Sequence, residues 1–222
     1  PRMYPVPTNL LRKGGTNVIA VRVYDGIHNG GITQGPVGIF IDKDQERMDI
    51  DLTGYWDFEC GNSVDQGNLK CVTYRKGKIF VPGFWEARGY NDLDGKAKYT
   101  KEFNYPSDRS TSGKALILGV IDDEDVVWLN GERIKWMGYK RGNNWHDNAY
   151  HLTFRAYEIP KGLLKSSGVN VIEVMVKDYT GPGGIYRGPI GITDIELAEE
   201  MVKREHKNNR SNLEKFFDYW FD

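Results

Sequence analysis

The chain is poor in the residues that usually announce chemistry. Of its 222 residues only two are cysteine and four are histidine, and 30 basic against 31 acidic side chains leave a formal net charge of −1. A balance so near neutral offers no basic face for a phosphate backbone and no polybasic patch for an anionic membrane, so neither nucleic acid nor a membrane surface is expected as partner. The longest clean apolar run, Ala115 to Ile121, falls far short of the roughly 18 residues that cross a bilayer as a helix. His28, His146, His151 and His206 stand at no metal-ligand spacing, and neither a metal nor a cofactor is expected. No Gly-x-Ser-x-Gly marks a nucleophilic serine. Cys60 and Cys71 flank a loop, GNSVDQGNLK. A bridge closing it would be worth about 3 kcal/mol or a little less and would need an oxidising compartment; two free thiols are the alternative, and the residues leave both open.

What is abundant is glycine (26), tyrosine (13) and tryptophan (6), a mix that suits an all-β protein with many turns. The chain also repeats itself. Tyr4 to Ile39 aligns without a gap onto Tyr157 to Ile192, and eighteen of the 36 positions are identical. Within VIAVRV and its twin VIEVMV, Ile19, Val21 and Val23 match Ile172, Val174 and Val176, while the residues between them differ. Identity on every second residue predicts a strand with one buried face in each copy. Each strand is preceded by a Pro-Leu-Leu-Gly-Asn turn and followed by Asp (Asp25, Asp178), then by Gly-Gly-Ile-x-x-Gly-Pro. That last motif predicts a tight loop and a short returning strand. It is no phosphate cradle, which would lead into a helix and carry Lys with Ser or Thr.

The repeat divides the chain. Residues 46–198 hold one complete β-sandwich, residues 1–45 only the C-terminal part of a preceding copy, and residues 199–222 a helical tail. The chain is therefore expected to be a fragment of a longer protein, and strands in 1–45 are expected to need a pairing partner. Residues 42–51 form a charged linker. Strands are predicted at 52–59, 73–81, 98–106 and 150–155, with a long surface loop between Pro82 and Asp94. Lys114 to Ile134 predicts a hairpin turning at Asn130-Gly131, the strongest short-range hairpin signal. Asp122, Asp123, Glu124 and Asp125 lack the calcium-loop pattern of an EF-hand and are expected to cap a turn or bulge. From Asp194 onward Gly and Pro disappear. Ser211-x-x-Glu214 forms a capping box, so a second helix is expected from Asn212, its apolar face (Leu213, Phe216, Phe217, Trp220, Phe221) packing on the sandwich or docking a neighbouring domain.

Several motifs carry a resemblance: Leu52-Thr53-Gly54-x-Trp56-x-Phe58; Val81-Pro82-Gly83-x-Trp85-Glu86 with Gly89 and Tyr90; Asp94-Gly95-x-Ala97-x-Tyr99; Leu118-Gly119-x-Ile121-Asp122-Asp123 with Trp128-Leu129-Asn130-Gly131; and Tyr157-x-Ile159-Pro160 through to Gly183-Gly184-Ile185. In that order they resemble the sugar-binding jelly-roll domain of β-galactosidase-like (family 2) glycoside hydrolases, found also in sialate O-acetylesterases. The resemblance implies an all-β, galactose-binding-domain-like jelly-roll β-sandwich with a C-terminal helical extension, in an exported parent hydrolase. In that family the two catalytic carboxylates sit on a separate barrel whose acid/base motif ends in Asn-Glu, and no Asn-Glu pair occurs in this chain.

The function expected is therefore a non-catalytic accessory module, carbohydrate-binding or sugar-binding-like, whose partners are a galactoside or polysaccharide and the neighbouring domains of the parent. A purely structural scaffold and a fragment contributing to a glycosidase or esterase site are the alternatives. Sugar sites stack an aromatic ring on the pyranose and bond its hydroxyls with polar side chains. The candidate contacts are Trp85 with Arg88, Trp145 with His146, and Tyr186 with Arg187, which replace Thr33 and Gln34 of the first copy.

Overall fold

The computed structural model describes residues 6, 10–24, 26, 31–32, 37–61, 75–91, 93–137 and 152–221, with side chains to residue 208. It separates into two units, Pro1–Ile41 and Asp42–Asp222.

In the first unit the turn before the expected strand is formed. The Arg12 amide donates to Asn17 Oδ1 (2.8 Å) and Asn17 Nδ2 donates back to the Arg12 carbonyl (3.0 Å). The second copy makes the same clasp: the Lys165 amide donates to Asn170 Oδ1 (2.9 Å) and Asn170 Nδ2 to the Lys165 carbonyl (3.0 Å). The strand predicted beyond Asn17 is not formed: no ladder among the described residues includes 18–23, and Val18, Ile19, Val21 and Val23 are exposed. An extended segment becomes a strand only when a neighbour takes its backbone hydrogen bonds.

The second unit is a β-sandwich. Its described elements run α1 (Lys43–Glu46), β1 (Ile50–Asp51), β2 (Gly54–Cys60), β3 (Arg75–Val81), a 3₁₀ turn (Glu86–Arg88), β4 (Gly95–Asn104), β5 (Lys114–Asp122), β6 (Glu124–Leu129), β7 (Glu132–Arg133), β8 (Lys135–Trp136), β9 (Phe154–Glu158), β10 (Val169–Asp178), β11 (Gly184–Arg187), β12 (Gly191–Asp194) and α2 (Ile195–Phe221). One sheet is ordered β1-β12-β5-β9-β8, with β11 also against β5; the other is β3-β2-β4-β10-β6-β7. All pairings are antiparallel. The linker region is thus not structureless. Asp42 caps α1 by accepting from the Asp44 and Gln45 amides, and Ile50–Asp51 is an edge strand.

The inward faces follow period 2. On β10, Ile172, Val174 and Val176 are fully buried and alternate with half-exposed Glu173, Met175 and Lys177, the residues that vary between the copies. They meet Trp56, Phe58, Tyr99, Leu116, Leu118 and Ile121 in the core between the sheets.

β5 breaks the alternation: every residue from Lys114 to Ile121 is buried. Leu116, Leu118 and Ile121 face the inter-sheet core, while Ala115, Ile117 and Val120 face a second core with Phe154, Ala156 and, from α2, Ala198, Met201 and Val202. A bulge between Ile117 and Gly119 resets the phase of the alternation. Gly119 has φ +59°, and a Cβ there would lie 1.9 Å from the Arg187 carbonyl oxygen, so only glycine fits. The helix is continuous from Ile195 to Phe221, so no second helix begins at Asn212: without Gly or Pro, Ser211 costs a helix interior only a few tenths of a kcal/mol. The apolar face from Leu213 onward lies outside the described side chains.

Charged residues tie the layers together. Lys114 Nζ, 4% exposed, lies 2.5 Å from both Asp49 Oδ2 and Asp194 Oδ1. Tyr105 Oη donates to Asp49 (2.7 Å), and Arg109 pairs with it (3.1 Å). Burial pushes the Asp49 carboxyl up, but the bonds from Lys114 and Tyr105 and the charges of Lys114 and Arg109 outweigh it, and its pKa falls below the ordinary value. Across the two sheets Arg155 of β9 pairs with Asp125 of β6 (2.6 Å).

The predicted Asn-Gly turn joins β6 to β7, with φ of +51° at Asn130 and +83° at Gly131. The run from Ala115 to Leu129 is therefore no hairpin: β5 and β6 lie in different sheets, and the acids mark the corner between them.

Two outcomes follow. Met201→Ala removes the helix side chain that covers Ile117 and Val120 and is expected to cost about 2–3 kcal/mol in denaturant unfolding. Because Asp49 has a depressed folded pKa, its contribution is complete above about pH 4 and lost as pH falls through the folded value. Asp49→Asn is accordingly expected to cost about 2–3 kcal/mol at pH 7, less than an isolated buried pair because Lys114 keeps Asp194, and to shrink the stability difference between pH 7 and pH 3.

Candidate functional site

The motif Val-Pro-Gly-x-Trp-Glu and the motif Gly-Gly-Ile lock onto each other. The Gly83 amide donates to the Ile185 carbonyl (2.8 Å) and the Trp85 amide to the Gly183 carbonyl (3.1 Å). A Cβ on Gly183 would lie 2.1 Å from Trp85 Cζ2, so the loop backbone rests directly on the indole. The indole Nε1–H donates to Glu86 Oε1, and the Gly183 amide reaches the same carboxylate (3.2 Å to Oε2). Burial, partly offset by those bonds, raises the Glu86 pKa. Trp85 is 0% exposed. The predicted surface loop keeps Ala87, Arg88, Gly89 and Asn91 exposed, but Trp85 within it is turned inward, and the face it was expected to offer a sugar is covered: the ring anchors two loops to the core.

The other described candidates point into the module's own contacts. Arg88 is exposed and lies over the Phe80 ring, 5.3 Å from its centroid. Tyr186 is half-buried against the outer core and stacks on Phe84 at 4.5 Å and 9°. Arg187 pairs with Glu205 of α2 (2.7 Å). Tyr186 and Arg187 thus sit together where α2 lies on the sheet, and Arg88 caps Phe80 at the end of β3. Trp145 and His146 lie outside the described residues. So does Cys71, and with it the pairing of buried Cys60.

One further constellation joins two of the acids expected to cap a turn with an aspartate from the repeat. Asp122 at the end of β5, Asp123 at the corner and Asp178 at the end of β10 bring carboxylate oxygens within 4.8 Å of one another. Asp178 is 0% exposed, and neither of its carboxylate oxygens completes a hydrogen bond; the Thr180 amide only moderates its charge. Burial first, then the Asp123 and Asp94 charges, push the Asp178 pKa up to about 7. Burial, the Asp123 carboxyl and the Asp178 charge push Asp122 up to about 7 against the pull of Arg155. The available signal was the repeat itself, which keeps Asp at 25 and 178 directly after strand residues whose outward neighbours vary.

No protein-family model and no curated protein matches the chain. Solved structures similar to part of it include the β-glucuronidase of Faecalibacterium prausnitzii (19% identity, TM-score 0.42, 58% of this chain and 20% of that one). The β-D-glucuronidase of Dictyoglomus thermophilum gives 20% identity and a TM-score of 0.37 over 58% of this chain and 19% of that one. That of Ruminococcus gnavus gives 19% and 0.44, over 58% and 21%. The match spans about a fifth of each of those chains. At this identity and superposition the likeness says nothing about chemistry.

Glycoside hydrolysis needs two accessible carboxyl groups facing a sugar across about 5–9.5 Å. The Asp122–Asp123–Asp178 group does not offer that: Asp178 has no exposed surface, and the oxygens of half-exposed Asp122 and Asp123 lie within 4.8 Å of each other, closer than that spacing. Gly183→Ala would drive a methyl into the Trp85 indole; it is expected to cost about 2–3 kcal/mol and to lower the thermal midpoint, with no such loss for Gly181→Ala in the exposed part of the same loop beyond its backbone strain.

Proposed function

We propose that this chain is a non-catalytic jelly-roll accessory module of a larger, exported carbohydrate-active hydrolase, and that its work is to buttress neighbouring domains. The observation that carries the reading is where the candidate contacts go. Trp85 is enclosed in the core, Arg187 is bonded to Glu205 of α2, and Arg88 lies over Phe80. These candidate contacts are thus taken up by partners within the module rather than left open for a sugar. The ordered motifs from Leu52 to Ile185 support descent from the sugar-binding domains of family 2 glycoside hydrolases, and the repeat between residues 4–39 and 157–192 supports a parent with such modules in tandem. Fold alone does not confer their function.

A second reading keeps sugar affinity. It rests on the half-exposed stacked pair Phe84–Tyr186, a flat ledge of the kind on which a pyranose lies. Calorimetric titration of residues 1–222 with galactosides, glucuronides and plant or host polysaccharides separates the two. The buttress reading expects no saturable heat. Saturable binding that disappears in Trp145→Ala or Tyr186→Ala would replace it with a carbohydrate-binding module and place the site.

A further inference from the structure

We propose that Asp122, Asp123 and Asp178 form a binding site for a hard divalent cation of the calcium class, which clamps the corner between the two sheets to the end of β10. The site stands independently of the function proposed above.

Three carboxylates converge from separate parts of the chain, with their oxygens within 4.8 Å of one another. Two oxygens bound to one ion can be no further apart than twice the metal–oxygen distance. For calcium, at about 2.3–2.6 Å, that limit is about 4.6–5.2 Å; for magnesium, at about 2.0–2.1 Å, it is about 4.2 Å. The donors come from a strand end, a corner and a second strand end. Such an irregular set suits calcium's loose sphere of six to eight oxygens better than magnesium's octahedron. All donors are carboxylate oxygens, so softer metals that seek nitrogen or sulfur are disfavoured.

The second observation is Asp178 itself. It is fully buried, neither of its oxygens completes a hydrogen bond among the described residues although the Thr180 amide bears on it, and it stands within the same 4.8 Å group. An unpaired buried carboxylate is among the costliest groups a fold can hold. The guanidinium that pulls on Asp122 is committed elsewhere. Arg155 donates to the Asp125 carboxylate (2.6 Å), the Thr153 carbonyl (2.8 Å) and the Asp123 carbonyl (2.8 Å). No described lysine or arginine forms an ion pair with Asp122 or Asp178. The other charged groups bearing on Asp178, Asp94 and Glu86, are also acidic and add to the negative field.

The remaining geometry supports a bound ion. The Tyr179 amide donates to Asp123 Oδ2 (3.1 Å) and orients that carboxylate. The Asp123 amide donates to the Lys177 carbonyl (3.2 Å), so the corner is already stitched to β10. Asp122 and Asp123 are half-exposed, which gives an ion a route in from solvent.

The test uses the full 222-residue chain, stripped with a chelator and titrated with calcium chloride, and separately with magnesium chloride, by calorimetry and thermal melting. The expected result is saturable 1:1 calcium binding, at least tenfold weaker for magnesium, with a rise of several degrees in the thermal midpoint that the chelator reverses. Asp178→Asn and Asp123→Asn are expected to weaken calcium binding at least tenfold, while Asp57→Asn, on the outer face of β2, leaves it unchanged. Asp178→Asn carries a sign that a merely structural role would not produce. Without calcium it relieves repulsion and melts above the parent chain; in saturating calcium it melts below it. Absence of calcium binding in the stripped parent chain would overturn the site, as would an Asp178→Asn variant that binds calcium like the parent or melts lower in both conditions.

Discussion

Everything in the sandwich unit hangs on the central strand β5, which is buried on both faces and paired on both edges. One edge carries β11 and β12, the other β9. A strand in a two-layer sandwich needs only one apolar face, but this one has α2 behind it and so needs two. That requirement produced the longest apolar run in the chain. It also explains Gly119: the bulge that keeps the inner and outer side chains in phase on either side of it brings the Arg187 backbone to a distance that no Cβ would survive. The burial of Met201 and Val202, the Arg187–Glu205 pair and the Lys114–Asp49–Asp194 cluster all sit on or beside this strand.

The motifs that look most like a recognition surface turn out to hold the fold together. Tryptophan, glutamate and paired glycines in Gly-rich loops are what a sugar site would use, and they are equally what two loops need to close flat against each other. Here Gly183 has no side chain because the Trp85 indole occupies that space, and Glu86 is present because an indole N–H and a loop amide both require an acceptor. This shifts the functional weight from ligand contact to architecture. The unusual chemistry of the unit lies at the sheet corner, where like charges are gathered without a counter-charge of their own.

Much of this was legible in order along the chain. Alternation marked the inward face of β10, Asn130-Gly131 marked a hairpin turn, and the repeat marked the turns before both strands, each of which the structure closes with an asparagine clasp. Other features were misread for identifiable reasons. Trp85 sits in a stretch rich in Gly, Asn and Asp, and local composition says loop without saying whether the loop is covered. The capping box at Ser211 is a real start signal, but it is overridden inside a helix already propagating. Lys114 to Ile134 reads as one hairpin, yet only its Asn130-Gly131 end is one, because sequence distance does not reveal the change of sheet between β5 and β6.

The residues by themselves determined the inward face of β10, the Asn130-Gly131 turn, the all-β class and the helical tail, because these depend on periods of 2 and 3.6 and on the backbone preferences of Gly, Asn and Pro. Only the tertiary structure decided which glycine faces an indole, that α2 covers β5, and that Asp178 meets Asp122 and Asp123. Those are contacts between segments more than fifty residues apart in the chain. They are set by how two sheets and a helix share volume and charge, which no local pattern encodes. The same physics explains the contrast between the copies: β10 is a strand because β4 and β6 bond its two edges, whereas its twin at residues 18–23 has the same side-chain pattern without a described ladder.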